Sequence, residues 1–233
     1  GASLHIGGSD FKSKSTTRSS NFLNGNLDKY STSVSETANP FRRPQIGAVA
    51  YYNLKTDDKG SNLDISANFS SSLSTSLGKM EYANGSESSN LIPYLMFQQN
   101  SAVDSYGYEF KGRYKHVFDE DSYLEGGYEF NASNISNDFV RNDFDGNEYV
   151  HNDAHSNTFV YNEKVNALYI TYDRMWNDVI STTFGLRAEN TAIMGNQITS
   201  NEKFNRNYWN FFPEVSILLD LADGDHSIAL DLS

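Results

Sequence analysis

Cysteine is absent from this chain of 233 residues, which removes disulfide frameworks, thiolate metal sites and cysteine nucleophiles at once. Positive charge is scarce. The 18 Lys and Arg stand against 30 Asp and Glu, a formal charge of −12, so the broad basic footprint of a nucleic-acid partner or an anionic lipid surface is missing. No run approaches the ~18 apolar residues of a membrane helix. A membrane β-barrel stays open, because its strands need only ~9–11 residues with every second one apolar. Proline and methionine are rare, four of each, and the hydrophobic share is only 38%. The chain opens Gly1-Ala2-Ser3 without an initiator methionine, which reads as an excision point with any leader outside the sequence.

What is plentiful is serine, asparagine and aromatics: 15 Tyr, 15 Phe and 2 Trp. Many turn-forming amides and many aromatics with few aliphatics favour an all-β chain over a helical bundle or an α/β enzyme. The spacing agrees. Ile180, Thr182, Phe184, Leu186 and Ala188 share one parity, while Ser181, Thr183, Gly185, Arg187 and Glu189 share the other. The same period of two runs through Phe211, Val215, Ile217, Leu219 and Leu221, and through Tyr106, Tyr108, Phe110 and Tyr114. Weaker copies lie at 46–54, 63–73, 124–130, 159–172 and 226–232, and no sustained helical stripe appears.

Connections alternate in length. Polar turns at 55–61, 118–122, 175–178 and 222–225 alternate with long polar stretches at 74–90, 131–158 and 192–210, expected as loops. In an up-and-down antiparallel meander of about eight or nine strands, all long loops then gather at one end, as in outer-membrane barrels. Aromatics cluster toward predicted strand ends (Tyr51, Tyr52, Tyr123, Tyr128, Tyr169, Tyr172, Trp176, Trp209) like a girdle. Lys111, Arg113, Glu125, Glu129, Glu163, Arg187 and Glu189 fall on the opposite parity and suit a wet interior. The division expected is a mostly irregular or mobile segment at 1–45 and barrel strands at 46–233. The alternative is a soluble or surface-exposed β-sandwich binding glycan or protein through its loops. A barrel enzyme is a third, weaker reading.

Phe159-x-Tyr161-x-Glu163, Ala167-x-Tyr169-x-x-Tyr172, Gly185-Leu186-Arg187-x-Glu189, Tyr208-x-x-Phe211-Phe212-Pro213 and Asp225-His226-x-Ile228 occur in that order. Together they resemble the barrel of TonB-dependent outer-membrane receptors of the Bacteroidetes kind, best from 106 to 233 and not over 1–45. The resemblance implies a transporter of the cell outer membrane, in contact with its lipid. It also implies a barrel of roughly 22 strands closed by a plug domain, a periplasmic energy-coupling protein of the TonB type and an unknown small ligand. With no plug and too few strands, this chain reads as a piece of the barrel whose two outer edges, unpaired in isolation, must be covered by oligomerising, by self-closure or by crystal contacts; the remainder of the barrel belongs to the parent.

Candidate chemistry is thin. Asp143-x-Asp145-Gly146-Asn147-Glu148 is a partial calcium-loop pattern lacking the distant bidentate Glu, better read as a hydrated loop tip. His151 and His155 would share a face only on a helix, and zinc is not expected there. Glu125 and Glu129 lie about 13 Å apart if extended, beyond glycosidase spacing. No metal, cofactor or catalytic residue is assigned, and no enzymatic activity or nucleic-acid partner is expected. The candidate ligand contacts are loop aromatics: Phe139, Phe144, Tyr149, Tyr208 and Trp209, able to stack on a sugar, peptide or chelate.

Overall fold

The structure, a computed structural model, describes residues 1–7, 11–23, 26–39, 45–177, 179–221 and 226–232. Its strands are β1 (Ala2–Gly7), β2 (Phe11–Leu23), β3 (Asn26–Asn39), β4 (Gln45–Lys55), β5 (Asn62–Glu87), β6 (Asn90–Asp119), β7 (Ser122–Phe144), β8 (Tyr149–His151), β9 (Asn157–Asn177), β10 (Ile180–Gln197), β11 (Glu202–Leu221) and β12 (His226–Leu232), with one 3-10 turn at Asp153–His155. All twelve belong to one sheet. Nine follow each other across it in the order β1-β4-β5-β6-β7-β9-β10-β11-β12, every pair antiparallel, and β2, β3 and β8 lie off that path. Eight of the nine, β4 to β7 and β9 to β12, are the expected antiparallel meander, and β1 joins its edge from the segment expected to be irregular.

No second layer covers the sheet among the described residues, and this overturns the sandwich alternative. Among the described residues only Ala83, Phe97 and Ala167 are buried hydrophobics, whereas two sheets packed face to face would enclose a whole core of them. Most of the exposed apolar side chains instead sit on one face, with Val49, Tyr51, Ile135, Tyr208 and Phe212 among those on the other. The register aligns Leu54, Leu63, Tyr114, Gly126, Ile170, Leu186 and Pro213 in one row across β4 to β11. On β4 the apolar residues of that face run from this row toward the long-hairpin end, through Tyr52 and Ala50 to Ile46. On β11 they continue the other way, through Val215 and Ile217 to Leu219, and on β12 Leu232, Leu230 and Ile228 pair with that lower part. The apolar belt therefore crosses the register rows obliquely, which is what strands tilted to a flat membrane produce.

Short turns are fixed by side chains that accept backbone N–H groups. Asp57 accepts from Ser61 and Lys59, both at 2.9 Å, and Gly60 supplies φ 102 between them. Asp119 accepts from the Ser122 hydroxyl at 2.7 Å and Asp121 N–H at 3.1 Å. Asn177 accepts from Ile180 at 2.8 Å and Val179 at 2.9 Å. Each is an Asx-type turn at the same end of the sheet. The fourth expected turn, 222–225, lies outside the described residues.

Two expectations about irregular segments are corrected. The stretches 74–90, 131–158 and 192–210 are mostly strand, closing at 88–89, at 145–148 and at 198–201. Likewise β1, β2 and β3 occupy the segment expected to be irregular at 1–45. The β2–β3 hairpin docks on the upper half of β5, with Tyr30 opposite Gly85 and Ala38 opposite Leu77. The physical reason is shared: where both faces meet water, a ladder needs no apolar alternation, only pairing of its N–H and C=O groups and hydroxyl or amide bridges such as Ser19 with Ser31 at 2.8 Å.

Candidate ligand path on the polar face

Opposite the apolar belt, the other face of β5 to β11 carries a wall of paired charges. Arg113 donates to Asp64 and lies 3.6 Å from Glu125. Arg187 donates from Nη2 to Glu129 at 2.8 Å and from Nε to Glu189 at 2.6 Å. Between the two guanidinium groups stands Tyr169, its hydroxyl donating to Glu125 at 3.5 Å and its ring 6.0 Å from the Arg187 guanidinium. Farther up the wall, Asn68 donates to Glu109 at 2.7 Å, and Lys111 sits 3.4 Å from the same carboxylate. All seven charged residues assigned to a wet face by parity are on it.

Backbone geometry makes room for this arrangement at Gly127, which pairs with Tyr169 across β7 and β9. A Cβ there would stand 2.6 Å from the tyrosine ring, so the ring lies flat across the glycine and reaches Glu125. Sequence reading alone missed Tyr169 as the centre of the wall. The available signal was the Gly126-Gly127 doublet inside a strand, a mark of close approach by a neighbour.

The charged side chains of this wall are partly exposed, Arg113 at 46% and Glu129 at 23%. Pairs of this kind contribute only about 0.2–1 kcal/mol each; their chemical effect is to fix charge on a hydrated surface. Glu125, Glu129 and Glu189 each face a guanidinium, so opposite charges are paired locally across the wall.

The candidate ligand residues part company in the structure. Phe139 and Tyr208 point to the polar face, on β7 and β11. Phe144 and Tyr149 pair at the mouth of the β7–β8 hairpin with ring centroids 5.2 Å apart. Trp209 lies on the apolar face, stacked on Phe211 at 6.4 Å and 61% exposed.

At the hairpin tip the acidic motif is a turn. Asp145 accepts from the N–H groups of Asn147 at 2.8 Å and Glu148 at 3.0 Å, and Gly146 has φ 108. Asp143 is held by Arg141 Nε at 2.6 Å and by the Asn152 amide. The Arg141 guanidinium beside it keeps the Asp143 carboxyl below the usual carboxylate range, and itself lies 3.9 Å over the Phe97 ring. His151 meets Asp153 at 3.1 Å, whereas His155 meets Asn152 at 3.1 Å. Among the described residues no three His, Asp or Glu gather as a metal site would need.

No curated protein matches the chain. Nine chains of solved structures do. One is the crystal structure of the ferric citrate transporter FecA in the unliganded form, at 12% identity and a TM-score of 0.42. The match covers 84% of this chain and 34% of that one, so the chain spans about a third of its length. The family model described as the outer membrane protein beta-barrel family matches residues 54–233. That stretch holds most of the oblique apolar belt, the charged wall and the side-chain-fixed turns, and the chain belongs to this family.

Proposed function

We propose that this outer-membrane chain forms part of the wall of a TonB-dependent receptor-like transporter and carries no catalysis of its own. The observation that supports the reading is the division of one sheet into an apolar belt and a continuous wall of paired charges around Arg113, Tyr169 and Arg187. A hydrated wall of this kind guides a polar solute and holds a protein plug, while the belt meets lipid. In the proposal the partners are outer-membrane lipid, the remainder of the barrel, a plug domain, a periplasmic energy-coupling protein of the TonB type and a small ligand. Phe139 and Tyr208, on the polar face, contact that ligand; Phe144 and Tyr149, on the Asn142 side of the hairpin beyond the belt, meet it at the mouth; Trp209, on the apolar face, marks the membrane boundary.

The test uses cells producing the parent protein with Arg187 intact or replaced by Glu, grown in defined medium, with depletion of each solute measured with and without a protonophore. Transport predicts at least one solute whose removal stops both on substitution and on uncoupling. Depletion that ignores the protonophore would make the protein a passive pore. Depletion unchanged by the substitution would remove the wall from the path. Shortening the hairpin by removing 145–156 is expected to weaken capture of the same solute several-fold; unchanged uptake would withdraw Phe144 and Tyr149 from the ligand set.

A further inference from the structure

The strongly acidic composition conceals one local reversal of sign. Lys12 and Lys14 on β2 and Lys79 on β5 lie around a hollow of about 850 Å³, together with Glu36, Gln98 and Asn142. Register fixes which face this is. Lys14 pairs with Glu36, Glu36 with Lys79, Lys79 with Gln98 and Gln98 with Asn142. Along β5, Lys79 has the parity of Leu63, Ile65, Phe69, Leu73 and Leu77, and no register shift intervenes between them. The lysines are thus on the lipid-facing side of the sheet, on the long-hairpin end, beyond the apolar belt. Leu77, next below Lys79 on that face, is still 45% exposed.

We propose that this patch binds the phosphate of an anionic glycolipid in the outer leaflet of the membrane. Its vertical order is that of such a lipid. Leu73 and Leu77 stand toward the acyl chains, and above them Lys14 and Lys79 share one register row with Gln98 and Asn142, so that ammonium groups for the phosphate and amides for the sugar stand side by side at the headgroup. Lysine suits the task, since an ammonium on a flexible stem reaches a phosphate as a point charge and lets its methylene stem run along apolar surface. Glu36, ion-paired with Lys14, sits between Lys14 and Lys79 and weakens the local field. A purely structural ladder fastening β2–β3 to β5 would require Glu36; a phosphate site is better without it. The inference rests on the outer-membrane assignment and not on the transport reading, so a failed uptake experiment leaves it standing.

The experiment takes the full-length parent protein in neutral detergent and measures binding of bisphosphorylated lipid A, dephosphorylated lipid A and inorganic phosphate. Two variants accompany it: the triple substitution Lys12→Gln, Lys14→Gln, Lys79→Gln, and the single Glu36→Gln. Heat-modifiable mobility on gels checks that each variant is folded. The site predicts that bisphosphorylated lipid A binds at least tenfold more weakly to the triple variant and at least as tightly to Glu36→Gln. It also predicts that dephosphorylated lipid A binds poorly to all three proteins, and that millimolar phosphate does not displace the lipid. Equal affinity of the folded triple variant, loss of binding in Glu36→Gln, equal binding of dephosphorylated lipid, or displacement by free phosphate would each overturn it.

Discussion

The lower and upper halves of the same strands obey different rules. On β6 the stretch from Tyr106 to Phe118 alternates Tyr106, Tyr108, Phe110 and Tyr114 on one face with Glu109, Lys111 and Arg113 on the other. The stretch from Asn90 to Ser105 has no such alternation, yet the ladder continues unbroken to Leu95 on one side and Phe97 on the other. In the lower half each backbone group must be paired, because lipid offers no substitute and an unpaired group costs several kcal/mol. In the upper half water would serve equally well, and the ladder is reinforced by short polar bridges: Ser72 with Ser105 at 2.7 Å, Ser101 with Asn137 at 3.2 Å, Thr158 with Asp138 at 2.6 Å. One backbone architecture is thus maintained by solvent exclusion below and by side-chain hydrogen bonding above.

The largest expected break in that contrast comes from charge. Phe184→Arg, in the belt, should cost about 2–4 kcal/mol near the membrane midplane and prevent assembly, whereas Asn142→Arg on the same face above the belt should assemble normally. Heat-modifiable mobility after membrane fractionation reads both, and equal behaviour of the two variants would collapse the distinction. Next is Gly127→Val. The new side chain must displace Tyr169 and is expected to destabilise by about 1–3 kcal/mol; adding Tyr169→Ala should recover much of that, as urea midpoints of the single and double variants would show. Arg187→Met should lower stability by about 1 kcal/mol, and a Glu129→Gln, Arg187→Met double variant should lose less than the sum of its singles.

The smallest effect separates the halves by pH. Asp143 has its carboxyl lowered from 3.8, first through Arg141 and then through Asn152. A depressed folded pKa means that the unfolded chain takes up the proton first. The contribution is therefore complete above about pH 4 and disappears as pH falls through the lower, folded value. Amide exchange at Asn152 and His155 should quicken in that acidic window while the belt strands stay protected. Equal protection at both places down to pH 2 would show that Asp143 does not hold the tip.

This contrast also explains what the sequence reveals. Where lipid or a wet lumen assigns each parity a solvent, as on β10 with Phe184 and Leu186 against Arg187 and Glu189, alternation spells out the strand. Asp57, Asp119 and Asn177 announce their turns by residue type. Ser74, Ser76, Asn131 and Asn137 carry no alternation because both of their faces are wet, so strand and loop look alike there, and the serine-rich β2–β3 hairpin is hidden for the same reason. Of the candidate site, the charges were legible and the tyrosine was not. Tyr169 over Gly127 depends on register between strands remote in sequence, which no local pattern encodes. Trp209 and Tyr208 are adjacent and therefore face opposite ways, so composition at a strand end says nothing of which solvent each meets.

The strands of β6 and β5, 30 and 26 residues long, have a consequence for how the cell surface is attacked. Extracellular proteases nick chains that can be drawn out into their active-site clefts, and exposed flexible loops are their usual entry. Among the described residues most of the chain beyond the membrane is locked in paired ladders, and susceptible backbone narrows to 88–89, 145–148, 152–156 and 198–201. A protein that projects so far from its membrane is in this way armoured by its own hydrogen bonds, with its cutting points among the described residues confined to the hairpin tips and the short 3-10 segment beside one of them.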